Sequence, residues 1–428
     1  VSLKKRGALF VSAFALLAWA GPEKKPKNQG EFDIYTQTVK DNGNPARQVQ
    51  DLDAWTRDYP DSDFADERSL FYLNAYNSLN QQAKAVDAGA RLMGKDLNAA
   101  FSDPRQVLSV LYLTALNAQK IAGPNAEQIA AGQKAARQLL QFAPGYFTAD
   151  KKPAATGEGD WTKAKNDVMA VGRAGLVYFA MLPGNRALAA NPKDPANCAA
   201  AEAAYRQAAE AIPESVQIAY ALAGALRCQQ TVHPEKVPQA MFEYARAAAL
   251  APEQGGIADY LRNIYTQYHG SEEGLPELKQ LALRSPLPPD GFTVKTAGQV
   301  DAEKRAELVR TNPQLGLWLS IRDQLTGSGG QQFFETQLKG AAVPKLKGTL
   351  VEARPACRPR ELVVAVSDAK TGEVVLKLDV PLAGKPEVGG EIQWEGVPSD
   401  FQASPLVLTM GTDKARIENL KMAPCVRK

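Results

Sequence analysis

In the stretch AEAAYRQAAEAIP, small residues Ala201 and Ala208 stand four positions before and three after Tyr205. Apolar residues at this spacing share one face of an α-helix, and the final proline, Pro213, ends it. The pattern returns as Ala240, Tyr244, Ala247 and Pro252, and again as Gly274, Leu278, Leu281 and Pro286. Helices precede the last two copies, with Ala219, Leu222, Ala223 and Leu226 on one apolar face and Ala258, Leu261 and Tyr265 on the other's. Fainter copies lie upstream: Gln48, Leu52, Trp55 and Pro60; Gly132, Ala136, Leu139 and Pro144. SLFYLNAYNSLNQQAKAVDAG reads as a helix-turn-helix turning near Asn80, its register open by about two residues. One long helix is expected from about Trp161 to Met181, between two loop-like stretches.

After Pro286 the pattern changes twice. PLPPDGF reads as a linker, and three short helices follow it, punctuated by Pro313 and Gly327. From Lys345 the spacing shifts to period two: KLKGTLVEA, ELVVAVSD, GEVVLKLDV, GEIQWEGV, PLVLTMGT and ARIENLKM are short β-rich runs separated by turns. Five or six strands there predict a small antiparallel barrel or sandwich.

Composition narrows this little. The 428 residues suffice for two or three domains, and 45% hydrophobic with 23% charged residues is an ordinary globular balance. Aromatics at 7% and abundant alanine favour closely packed helices.

The period is more telling. Pro252 and Pro286 are 34 positions apart; Pro213 and Pro252 are 39 apart, the surplus fitting the turn-rich QQTVHPEKVPQ. A period of 34 residues of paired helices resembles the tetratricopeptide repeat (TPR). The resemblance covers roughly residues 31–286, in five or six units, and is clearest in the last three. Arg262 departs from it, standing where the first helix of a unit usually has a small residue. The resemblance implies that hairpins stack because none buries its apolar face alone. It also implies that first helices line a concave groove holding a peptide or a partner's helix. Carried over by position, the groove side shows Tyr220, Gly224 and Arg227, then Asp259 and Asn263. A basic clamp for an acidic peptide terminus is not evident, since Arg227 supports it and Asp259 opposes it. The three short helices would cap the array, with Trp318, Phe333 and Phe334 as core anchors. The β region is loosely similar to an OB-fold. Such folds bind single strands through stacking aromatics on a basic face. Only Trp394 and Phe401 are available for stacking, and nucleic acid is not an expected partner.

Four cysteines allow three disulfide connectivities. The repeat resemblance implies Cys198–Cys228, joining the start of a second helix to the end of the next first helix, and with it Cys357–Cys425. The alternatives are four free thiols, or a Cys198/Cys228/His233 metal site lacking a fourth ligand. No metal or other cofactor is expected.

The N-terminal residues carry a different signal. KKRG, the apolar run ALFVSAFALLAWA and the exit Ala18-Trp19-Ala20 have the form of a secretory signal peptide over residues 1–20. The apolar run, at 13 residues, is shorter than a membrane span needs. The formal charge of +3 equals the charge of Lys4, Lys5 and Arg6, so the chain without them is neutral and has no basic excess. A polar leader over residues 21–30 is expected to be flexible, and no later segment is apolar enough to span a membrane.

Catalytic motifs are missing: no Gly-x-Ser-x-Gly elbow, phosphate-cradling loop or His-Glu-x-x-His helix occurs. His233 and His269 fall in loop-like or helix-end contexts, and carboxylate pairs such as Glu272 and Glu273 in polar turns.

The sequence therefore predicts a mainly α protein: a TPR-type α-solenoid over 31–286, a linker and capping helices over 287–344, and a small β domain over 345–428. The expected role is a non-enzymatic scaffold, exported to a bacterial periplasm, that binds a protein or peptide in its groove. One alternative is an envelope assembly factor acting through the β domain. The other is an enzyme without a familiar motif.

Overall fold

A computed structural model describes residues 24–425; the expected signal segment and residues 21–23 lie outside them. The chain forms two compact units. One runs to Tyr265 and includes Glu273–Thr293; the other holds Thr266–Glu272 and the chain from Val294 onward.

The first unit is a succession of helical hairpins. They are α1 (Gln29–Lys40) with α2 (Pro45–Asp58), and α3 (Ala65–Ser78) with α4 (Gln82–Met93). The one-turn α5 (Leu97–Ala100) precedes α6 (Pro104–Ala118) and α7 (Ala126–Tyr146). Then come α8 (Glu158–Ala189) with α9 (Pro195–Ala211), α10 (Val216–Cys228) with α11 (Lys236–Leu250), and α12 (Gly255–His269) with α13 (Leu275–Ala282). The starts follow local chemistry. Asn28, Asn44, Asp103, Asn125, Asp194 and Ser215 each accept a backbone N–H that the first turn would leave unpaired. Pro45, Pro104 and Pro195 occupy first turns, where a missing N–H costs nothing.

The i, i+4, i+7 face of the second helices is the packing face. Gln48, Leu52 and Trp55 of α2 are buried, as are Gly132, Ala136 and Leu139 of α7. Ala201, Tyr205 and Ala208 of α9 and Ala240, Tyr244 and Ala247 of α11 are buried too. The same spacing falls on Ala85, Gly89 and Leu92 in α4, which settles the open register there. Small residues have a direct steric cause: a β-carbon at Gly89 would collide with Thr114, and one at Gly184 with the Tyr205 ring.

Three expectations need correction. Gly274 is not a packing position inside a helix: it precedes α13 as its N-cap, exposed and left-handed at φ 82°, the backbone region that favours glycine. In the same helix Leu278 is buried and Leu281 half-buried. The long helix does not stop near Met181; α8 runs through Pro183 to Ala189, and α7 runs two residues past Pro144. A proline inside a helix costs about 3 kcal/mol, and contacts of α8 with α7 on one side and α9 on the other outweigh it. The leader is not loose from Lys24 onward. Lys24 pairs with Glu67 at 2.6 Å and Lys27 with Asp63 at 3.1 Å, laying the chain against the start of α3.

The second unit adds α14 (Ala297–Thr311), α15 (Pro313–Thr326) and α16 (Gly330–Phe333) to a sheet that closes on itself. Its strands are β1 (Val343–Arg354), β2 (Glu361–Ala365), β3 (Val374–Leu378), β4 (Lys385–Pro386), β5 (Glu391–Ala403), β6 (Leu406–Thr412), β7 (Ile417–Glu418) and β8 (Met422–Ala423). The order β1-β2-β3-β6-β5 returns to β1, so five strands form a barrel; β7 adds to β5, and β4 pairs with β8 as a separate ribbon. The expected pairing was antiparallel throughout, but β3 and β6 run parallel. Closure depends on β5, which pairs β1 along its first half and β6 along its second, with a register shift between Pro398 and Asp400. Trp318, Ile321, Leu325, Phe334 and Leu338 share one core with Leu346, Leu362, Leu376, Trp394 and Met410 of the barrel. Trp318 and Phe334, expected to anchor a cap on the helical array, thus belong to the barrel's core, with Phe333 packed against it half-buried. The segment expected as a linker is likewise packed: Phe292 meets the Phe242 ring edge-on at 5.3 Å.

Candidate binding groove

Residues three and four apart share a helix face, and α10 presents Tyr220, Gly224 and Arg227 on one such stripe. Tyr220 is 43% exposed. Nothing lies within 4 Å of the place a β-carbon would occupy on Gly224, so the space over the backbone there is open. The second helix contributes from below. The Tyr244 ring, almost fully buried, meets Tyr220 at 5.3 Å and Tyr260 of α12 at 5.0 Å, both near edge-to-face. This geometry suits the ring quadrupoles. Arg227 lies over the Tyr260 ring at 5.3 Å and donates a hydrogen bond to Tyr260 Oη. Burial pushes the Tyr244 hydroxyl up to about 12, with Tyr220 adding to the rise, so it remains a neutral donor.

Of the five residues carried over from the repeat resemblance, Tyr220, Gly224 and Arg227 share one stripe of α10. Asp259 and Asn263 are exposed on α12, and Asp259 pairs with Arg262 at 2.8 Å, so its charge is locally matched. Tyr260 was missed. It follows Asp259 in sequence, and its periodicity gives no reason to single it out; only the Tyr244 ring beside it does so.

The other candidates fall elsewhere. Cys198 bonds Cys228 and Cys357 bonds Cys425, the pairing the repeat resemblance implied. The alternative of four free thiols is thereby excluded, and the Cys198/Cys228/His233 metal site loses both sulfur ligands. His233 faces Glu235 at 3.0 Å on an exposed turn, and His269 bonds the Lys295 carbonyl. Near the first disulfide, Glu202 accepts hydrogen bonds from Arg206, Gln229 and Lys236 at 2.9, 2.8 and 2.7 Å. Burial alone would push its pKa up, but those three donors hold it below the usual carboxylate range. The arrangement braces α9 against α10 and α11. No protein-family model, curated protein or solved structure matches the chain.

Proposed function

We propose that the chain is a tetratricopeptide-type scaffold, without catalytic activity of its own, that holds a peptide or a segment of a partner protein against α10 and α12. The observation that carries this reading is the tyrosine ladder Tyr220–Tyr244–Tyr260 beside the open space over Gly224, with Arg227 at its edge. Rings held edge-to-face by a buried neighbour are preorganised, so little side-chain entropy is lost on binding. Open space over Gly224 admits a backbone or a small side chain, and Arg227 offers a cation to a carboxylate or carbonyl. The shared packing face of α2, α4, α7, α9 and α11 supports the repeat reading. The barrel order, with its parallel β3–β6 pair, supports an OB-like module. Export to a periplasm is part of the proposal; two disulfides support it, and no described helix is long and apolar enough to cross a membrane.

The test is site-specific photo-crosslinking in intact cells from the exposed Asn263 position of α12, with an exposed α14 position as control. One partner should cross-link from position 263 and not from α14. Tyr220→Ala combined with Arg227→Ala should fold as the native chain does and lose most of that product. Equal yields with and without the double substitution would remove the groove from the proposal.

A further inference from the structure

A second surface lies on the barrel. At one of its ends the β4–β8 ribbon sets Lys385 opposite Ala423 and Pro386 opposite Met422. Glu387 N–H donates to the Lys421 carbonyl at 3.0 Å, and Arg358 N–H to the Gly384 carbonyl at 2.8 Å. Leu382 N–H donates to Pro359 and Leu378 N–H to Arg360. The Cys357–Cys425 bond, with Cα atoms 5.9 Å apart, ties the β1–β2 connection to the chain after β8. These bonds gather Arg358, Arg360, Lys385 and Lys421 at one end of the barrel, all four exposed. Among the described residues none of the four makes a side-chain hydrogen bond or ion pair. Elsewhere on the barrel Lys345 pairs with Glu418, Lys347 with Glu391, Arg354 with Glu352 and Arg416 with Asp413, while Lys370, Lys377 and Lys414 stand exposed and singly. The acids on or next to the same segments are Glu361, Asp379 and Glu387.

The chain on either side of β4 also carries exposed apolar side chains. Val380 and Val388 bracket β4 and are 72% and 56% exposed; Val380 is the most exposed large hydrophobic residue described. Unpaired cations by themselves would suit any polyanion. Exposed valines among them distinguish the ligand, because a soluble polyanion leaves the valines in water. An anionic lipid surface satisfies both: phosphates take the cations while the aliphatic side chains enter the boundary between headgroups and acyl chains. We propose that this disulfide-closed end of the barrel docks peripherally on an anionic phospholipid bilayer. The proposal does not depend on the groove.

The experiment uses the full chain with sedimented vesicles of phosphatidylcholine, with and without phosphatidylglycerol. Binding should require the anionic lipid and weaken as salt is raised. Arg360→Glu, Lys385→Glu and Lys421→Glu together should reduce it at least ~10-fold. Val380→Ser with Val388→Ser should reduce vesicle binding several-fold while leaving retention on a dextran sulfate resin unchanged. All variants should keep the native circular dichroism spectrum. Equal binding of the native chain to neutral vesicles overturns the proposal, and this comparison needs no variant. So does full vesicle binding by the valine variant, which would assign the cations to a soluble polyanion instead.

Discussion

Glu243 sits in the middle of α11 with no exposed surface and no hydrogen-bond partner for either carboxylate oxygen. Arg246 one turn along α11 and Arg206 from α9 lie near enough to favour its charged form. Their donors are committed elsewhere, Arg206 to Glu202 and Gln239 and Arg246 to backbone carbonyls. Burial therefore wins and pushes Glu243 up to about 8. The sign of the consequence follows from linkage. The folded state keeps the proton to about pH 8, while the unfolded chain loses it near its ordinary value of 4.5. Stability linked to this group is complete below that lower value and drains away as pH rises to about 8. Glu243→Gln should flatten that slope and melt higher than the native chain at pH above 8, by an amount worth about a few kcal/mol. Parallel pH dependences in thermal melts of the two proteins would contradict this. Glu202, held on the same helices by three donors, shows the contrast: partners, and not burial alone, decide where a carboxyl titrates.

At the level of elements, two glycines test two kinds of helix face. Gly184 of α8 has no room for a β-carbon because the Tyr205 ring occupies it. Gly184→Ala should cost about 1–3 kcal/mol by forcing α8 and α9 apart, measurable by chemical denaturation. Gly224 of α10 has open space instead. Gly224→Ala should stabilise its helix by about 0.5–1 kcal/mol, yet weaken partner cross-linking by filling that space. Arg246 joins three elements, donating to Pro213 beyond α9 and to Ala282 and Ser285 at the end of α13. Arg246→Met should leave those acceptors unpaired and cost roughly 3 kcal/mol or more, seen as a lower denaturation midpoint. The helix and strand pattern of these elements was legible in sequence because each has a period of its own. The helix over Pro183 was not, because the contacts that outweigh a proline come from α7 and α9, distant in the chain.

For the whole molecule, each disulfide lies within one compact unit, Cys198–Cys228 in the first and Cys357–Cys425 in the second. Heating should therefore show two transitions. The bridges span 30 and 68 residues, worth about 3–4 and somewhat over 4 kcal/mol in the chain-entropy model. Cys198→Ser with Cys228→Ser should lower one transition and leave the other in place; Cys357→Ser with Cys425→Ser should do the reverse. A single transition moved by both pairs would show that the units unfold as one.

The sequence by itself determined what depends on neighbours a few residues apart: which stretches are helix or strand, and which face of α9 or α11 is apolar. Period and capping act locally. Tyr220, Gly224 and Arg227 share one stripe of α10 for that reason. Tertiary structure decided what depends on who stands opposite. It placed Tyr260 beside Tyr244, left Glu243 without a donor, put Trp318 and Phe334 into the barrel's core, and gathered four unpaired cations at one end of the barrel. Each of these is a contact between residues that no short-range pattern relates, and its energy exists only once the chain has closed.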